Sequence, residues 1–274
     1  MQNWRLHQSC QGCESNLIKK VYLEITNICN LSCDFCPKTK RAPQFMSVPA
    51  FTHAITSIRH LTKHVYFHLM GEPLLHPDLA EFFAICHANG MQVNLTTNGT
   101  LIAQASHVLL QAPALRKVSF SLHSQDIGSA EYKDYIAEIE RFTKEVAGRF
   151  IIEYRNWNAQ DEGEDKKIAP NVYLSFANKF NWPDLSQSET HRDAFCYGLR
   201  DQFGILVDGT VVPCCLDYDG NIALGNLFKQ PIDEILRSER ARKLYEGFSN
   251  RTATEELCKK CGYAQRFQKN CIDI

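Results

Sequence analysis

Nowhere in the 274 residues does an apolar run reach the roughly 18 residues that a membrane-spanning helix needs, which excludes an integral helical membrane protein. Charge of one sign is also lacking. Thirty Lys and Arg stand against 31 Asp and Glu, so no global basic field draws the chain to nucleic acid, and the balance says nothing about substrate polarity. Residues 1–12 have neither the apolar core nor the small-residue cleavage stretch of a secretory signal, so the expectation is a cytoplasmic chain. No internal repeat or low-complexity tract is present. At about 150 residues per domain, the length fits one large α/β barrel or two modest domains.

Cysteine, by contrast, is abundant: twelve residues, at positions 10, 13, 29, 33, 36, 86, 196, 214, 215, 258, 261 and 271. Disulfides are rare in a reducing compartment, so clustered thiols there point to metal ligation.

After a polar leader (residues 1–19), short β-rich runs at 21–26, 65–70, 91–97, 117–122 and 150–155 alternate with helical patterns at 49–61, 79–89, 101–111 and 131–147. That alternation predicts parallel strands joined by crossover helices. Read with a period of two, the strands have one apolar face (Val21, Leu23, Ile25; Val118, Phe120, Leu122). The other is polar: Glu24, Thr26, His68, Asn94, Thr96, Ser119, Ser121, His123, Glu153 and Arg155. A closed eight-stranded barrel fills its interior with branched apolar side chains. The polar face therefore predicts an α/β fold of the partial-barrel kind, about five or six strands around a cavity large enough for a polar ligand. Residues 158–167 read as an acidic loop, 171–179 as helical, 203–207 and 210–213 as a hairpin about a type I′ turn at Asp208-Gly209, and 232–248 as one helix.

Cys29, Cys33 and Cys36 follow the first strand, at the end where open α/β folds place their chemistry. Three local thiolates with no nearby fourth argue against a closed structural zinc site. A four-iron cubane held at three irons would leave the fourth open to a small molecule. The segment VYLEITNICNLSCDFCPK resembles the C-x3-C-x2-C signature of the radical S-adenosylmethionine (radical SAM) enzymes. The resemblance implies a (β/α)6 partial barrel over residues 20–180 and a [4Fe-4S] cluster on Cys29, Cys33 and Cys36 that binds S-adenosylmethionine, with Phe35 beside the adenine. Met70-Gly71-Glu72-Pro73 is similar to the family's Gly-Gly-Glu-Pro motif, which holds the methionyl amino group; Met70 stands where the first glycine would be. Thr97-Asn98-Gly99 and Ser119, Ser121 and His123 fall where the family contacts the ribose and carboxylate. Arg155 suits a carboxylate of ligand or substrate through its planar fork.

A second group comprises Cys196, the pair Cys214-Cys215 and Cys258-x-x-Cys261. Four thiolates suit zinc and [4Fe-4S] alike, so spacing does not choose between them. Residues 205–217, 224–226 and 257–261 resemble the SPASM/Twitch extension of radical SAM enzymes, a small C-terminal hairpin-plus-helix domain expected over residues 190–274. A full SPASM domain needs more cysteines than Cys271 supplies. The resemblance therefore implies the one-cluster form, an auxiliary [4Fe-4S] cluster on Cys196, Cys214, Cys258 and Cys261, with Cys215 the alternative to Cys214. The Cys10–Cys13 pair is read as unligated, and Cys86, between Phe82, Phe83 and Ile85, as a core residue.

The activity so implied is reductive cleavage of S-adenosylmethionine to a 5′-deoxyadenosyl radical, followed by two-electron oxidation of a small polar molecule. Arg155, His123 and Glu153 are the expected positioning or proton-transfer groups, and a one-electron reductant such as flavodoxin or ferredoxin is the expected partner. The rivals are radical modification of a peptide or protein and, in another class, a non-catalytic metal-binding or electron-transfer module.

Overall fold

The computed structural model describes residues 18–124, 131–157, 163–188 and 192–267. Cys10, Cys13, Cys271 and leader residues 1–17 lie outside them. Strands β1 (Lys20–Leu23), β2 (His64–Phe67), β3 (Gln92–Thr97), β4 (Leu115–Ser121) and β5 (Ile151–Asn156) run parallel and adjacent. Helices α1 (Val48–Ile58), α2 (Leu79–Ala88), α3 (Ile102–Gln111) and α4 (Glu131–Val146) fill the four crossovers.

The local reasons lie in the sequence. In α1, Ser47 accepts a bond from the Ala50 N–H, Pro49 sits in the first turn, and Phe51, Ala54, Ile55 and Ile58 form one buried stripe. Phe51 stacks flat on Phe82 of α2, ring centroids 3.8 Å apart. Beneath the helices, Val21, Leu23, Val65, Phe67, Val93, Leu95, Val118 and Phe120 are fully buried. Cys86 is buried among them, a core residue as expected.

The opposite face is layered by register. Tyr22, Tyr66, Asn94 and Lys117 align across β1 to β4; Thr96, Ser119 and Glu153 align one layer up; Ser121 and Arg155 pair above them. In parallel strands an in-register set of alternate residues points the same way, so these layers face the interior.

Past β5 the chain departs from the helical expectation for 171–179. Strands β6 (Lys166–Ala169) and β7 (Val172–Phe176) form an antiparallel pair, with β7 parallel to β5. Asn171 adopts φ 57° between them, and the Val-Tyr-Leu-Ser-Phe run, β-branched and aromatic, finds its partner in β5. The crossover from β5 to β7 thus contains a strand, and no helix among the described residues.

Strands β8 (Gln202–Ile205) and β9 (Thr210–Val212) form the expected hairpin, and β10 (Gly225–Asn226) extends it. The turn differs from the expected type I′. Gly209 alone has positive φ (85°), its N–H donates to the Leu206 carbonyl, and the Leu206 N–H donates to Thr210: a type I turn closed by a left-handed glycine. The single helix expected at 232–248 is two, α5 (Ile232–Leu236) and α6 (Glu239–Ser249), because Ser238 breaks off to cap α6 at the Ala241 N–H. A short helix, α7 (Glu256–Lys259), carries Cys258.

Strand β8 pairs in parallel with β1, so the sheet is one open ribbon in the order β10-β9-β8-β1-β2-β3-β4-β5-β7-β6. An ionic contact braces its middle. The Glu24 side chain, fully buried, accepts Arg41 Nη1 and Nη2 at 2.7 and 2.6 Å, the Val207 N–H at 2.9 Å and the Met70 N–H at 3.3 Å. Arg41 Nε donates to the Tyr218 carbonyl at 2.9 Å. Burial pushes the Glu24 carboxyl above its ordinary range despite Arg41, so the pair contributes geometry more than stability.

That balance sets an expected outcome. Arg41→Ala leaves a buried charge without its partner and should lower the unfolding free energy in urea by about 3–5 kcal/mol, whereas Glu24→Met with Arg41→Met should recover most of the loss. Unchanged stability in Arg41→Ala would show that the pair is not desolvated.

Candidate active site

The interior opens on a cavity of about 1020 Å³. Its walls include the first cysteine loop, Gly71 and Glu72, the polar layers of β1 to β5, and all five cysteines of the C-terminal group.

The first loop is tied at its base. Asn27 Nδ2 donates to the Ala42 carbonyl and Asn27 Oδ1 accepts the Gln44 N–H, while Thr26 Oγ1 donates to the Gln44 carbonyl and accepts from the Ile28 N–H. Within it, Cys29 and Cys36 are exposed and Cys33 half-buried. The Cys29 sulfur accepts from the Leu31 N–H at 3.4 Å and Asn98 Nδ2 at 3.8 Å. The hydrogen bond between Cys33 and Cys36 pulls the Cys33 thiol down and pushes Cys36 up. Iron would remove these protons outright.

Next to the loop, the Gly71 position explains why glycine is needed there. Its φ is +78°, and a Cβ would lie 2.4 Å from the Thr26 carbonyl oxygen and 2.9 Å from that of Ile28. Met70, the departure from the family motif, has no positive φ; Leu69 before it takes φ 115°, where a branched side chain is strained. Glu72 is buried and accepts three bonds, from Thr97 Oγ1 (2.7 Å), the Leu74 N–H (3.0 Å) and the Asn98 N–H (2.7 Å). Burial pushes its carboxyl up. Asn98, expected near the ribose, has its side chain on Asn30 Oδ1 (2.9 Å) and the Cys29 sulfur, so it braces the cysteine loop.

Phe35 lies inside an aromatic collar. His123, Trp157 and Phe180 meet it edge-on, with centroids 5.6, 5.9 and 5.4 Å away, and Trp182 meets it at 6.0 Å. His123 stacks on Trp157, its Nδ1 3.4 Å from the Arg155 carbonyl; burial lowers it to about 4. Ser121 lines the cavity in register with Arg155. Glu153 Oε2 accepts from Ser119 Oγ (2.6 Å), Lys117 Nζ (3.0 Å) and Arg155 Nε (2.9 Å). Burial raises its carboxyl, but Arg155 and Lys117 outweigh that and hold it at about 2.

The thiols of the C-terminal group divide by their surroundings. Cys214 feels Cys215, Cys196, Cys261 and Cys258, and Cys258 feels Cys196 and Cys261; burial raises both well above the thiol range. Cys215, raised to about 11 by burial, acts on Cys214 and Cys196 as well and has Tyr22, Lys20 and Arg155 about it. Among the described residues no three Cys, His, Asp or Glu side chains stand so as to share one metal ion. Thiols gathered in two groups on one cavity are the soft donors that iron–sulfur clusters take.

Sequence reasoning passed over Tyr22, Tyr66 and Lys117, which the period-two pattern places on the polar face. Phe180 and Trp182 gave no signal, since a loop has no periodicity to read.

Comparison with known proteins agrees with this geometry. Residues 23–146 match the radical SAM superfamily and residues 196–262 match the SPASM iron-sulfur cluster-binding domain. The chain belongs to the radical SAM superfamily and carries a SPASM-type domain. With that family come a [4Fe-4S] cluster with S-adenosylmethionine and auxiliary iron–sulfur.

More particularly, the chain is similar to the S-adenosyl-L-methionine-dependent 2-deoxy-scyllo-inosamine dehydrogenase of Niallia circulans, 22% identical over 89% of this chain and 93% of that one. It is 31% identical to the AdoMet-dependent heme synthase of Methanosarcina barkeri over 44% of its own length, the match spanning about a third (34%) of that relative. A match to the cofactor-modifying protein of the tungsten-containing aldehyde ferredoxin oxidoreductase of Pyrococcus furiosus spans a quarter (25%) of that relative. Among solved structures, BtrN in complex with AdoMet and 2-DOIA superposes with a TM-score of 0.62 at 18% identity, covering 90% of this chain and 93% of that one. Tagged anSMEcpe with bound AdoMet gives 0.61 at 15%, covering 92% and 87%. Both show the fold, an open α/β sheet of the radical SAM type.

Gly71→Ala tests the junction of the two loops. A left-handed Cβ pressed on the Thr26 carbonyl should cost at least about 1–2 kcal/mol from conformation alone. Thermal denaturation should show it, together with a fall in iron bound at the first cysteine loop.

Proposed function

We propose that this protein is a radical SAM dehydrogenase that oxidises a hydroxyl of a small polar molecule by two electrons. Residues 20–180 are taken as the radical-generating barrel and residues 190–274 as the auxiliary domain. The observation that carries the reading is that both thiol groups open on one cavity with a polar interior. The alignment with the Niallia circulans dehydrogenase over nearly its full length supports it.

Cys29, Cys33 and Cys36 would hold the first [4Fe-4S] cluster, and Cys196, Cys214, Cys258 and Cys261 the auxiliary one. The bound cofactor supplies the hard chemistry, a carbon radical able to remove hydrogen from an unactivated carbon. The chain's own work is to bind, orient and exclude. Phe35 and its collar wall off the mouth, and Gly71, Glu72, Asn98 and Ser121 shape the cofactor side. Arg155 lines the cavity and Glu153 fixes its Nε, which suits it to orient a polar substrate. Glu153, with three donors on Oε2, is a brace for Lys117 and Arg155. Cys214 is preferred to Cys215 as ligand because Cys215 packs against the small apolar cluster of Tyr22, Leu69, Leu206 and Val212, whereas Cys196, Cys258 and Cys261 pack against the main core. Exposed Cys29 and Cys36 suit delivery of electrons by a flavodoxin or ferredoxin.

Anaerobic reconstitution should give about eight irons per chain and release 5′-deoxyadenosine on reduction. Cys29→Ala should abolish cofactor cleavage, while Cys258→Ala should leave uncoupled cleavage and lose product. Cys214→Ser should halve the iron and Cys215→Ser should not. Stoichiometric zinc without cofactor cleavage would sink the enzyme reading.

A further inference from the structure

The cavity holds several groups able in principle to take a proton, and most are already occupied. Glu153 accepts three donors on one oxygen, Glu72 accepts three bonds, and His123 is stacked on Trp157. Cys215 and Tyr22 are kept protonated by burial. His68 is different.

It stands one position past the Phe67–Leu95 pair of β2 and β3, in the interior layer of Thr96, Ser119 and Glu153. Its ring packs at 5.9 Å from the Tyr22 ring and lines the cavity. No hydrogen bond reaches either ring nitrogen among the described residues. Tyr22 from β1 packs against it, Thr96 from β3 and Glu153 from β5 share its layer, and Arg155 from β5 is the charge that acts on it. Burial and that cation keep the imidazole neutral, at about 3. An unprotonated ring with both nitrogens uncommitted, facing a cavity beside a guanidinium, is a vacant acceptor for a ligand's O–H.

We propose that His68 accepts the hydroxyl proton of the bound alcohol during its oxidation, with Arg155 holding the same oxygen or its neighbour. The proposal rests on the dehydrogenation reading. In the balanced step, the carbinol carbon gives a hydrogen atom to the 5′ carbon of the adenosyl group, the hydroxyl gives its proton to His68, and one electron passes to the auxiliary iron–sulfur cluster. A ketone remains. A weak base suffices because departure of the electron leaves a protonated ketone, a strong acid, and a weak base returns its proton to water readily.

Two measurements on the anaerobic holoenzyme test this. Diethyl pyrocarbonate followed by peptide mass mapping should label His68 at mildly acidic pH, where free N-acetylhistidine slows through protonation; an unlabelled His68 would mean a sealed ring and overturn the proposal. The second uses S-adenosylmethionine, dithionite and a panel of small hydroxy compounds that includes 2-deoxy-scyllo-inosamine. His68→Gln and His68→Gly should keep wild-type iron content and 5′-deoxyadenosine release while ketone falls by about a hundredfold or more. Added imidazole should restore ketone in His68→Gly, where it has room, and not in His68→Gln. Undiminished ketone in His68→Gln, or no rescue in His68→Gly, overturns the role of His68 alone. A wild-type holoenzyme that cleaves its cofactor yet oxidises no panel member overturns the dehydrogenation reading and this role together, and turns attention to a peptide substrate.

Discussion

The bidentate contact between Glu24 and Arg41 is the constraint on which the rest of the molecule depends. Glu24 belongs to the end of β1, Arg41 to the far side of the first cysteine loop, and the remaining acceptor capacity of the carboxylate reaches Met70 and Val207. One buried anion therefore fixes four segments at once. Those segments carry the first thiols, the Gly71-Glu72 turn and the hairpin that leads to Cys214. Burial opposes this charge more than Arg41 rewards it, so its value lies in allowing one arrangement and disallowing others.

Much of this was legible in the residues. Strands β1 to β5 and the four helices between them were marked by periodicity, because each element buries one face against a neighbour. The polar face was legible too, since Asn94, Ser119 and Glu153 alternate with residues of the core. Signals failed where tertiary partners decide. Residues 171–179 carry a pattern short enough for helix or strand, and only the free edge of β5 selects the strand. Ser238 inside an apparent helix could be a tolerated polar residue or a cap, and the choice depends on where α5 must turn. Within the site, Glu72 and Asn98 were readable as important but not as mutually bonded, because their contact crosses from one strand end to the next.

Electrostatics divide the cavity into two regions. Around Glu153, opposed charges satisfy one another and hold the strand ends rigid. His68, Tyr22 and Cys215 are each kept in the neutral form by burial. A reaction that separates a proton from an electron profits from such a division, since the braced region keeps its shape while the neutral region has capacity to take up charge.

The pairing of β8 with β1 has one further consequence. Both groups of thiols hang from neighbouring strands of the same sheet, so the gap between them is set by interstrand hydrogen bonds and not by a linker. The sheet is thus the frame of a calliper, with the first cysteine loop on one jaw and the hairpin that ends at Cys214 on the other.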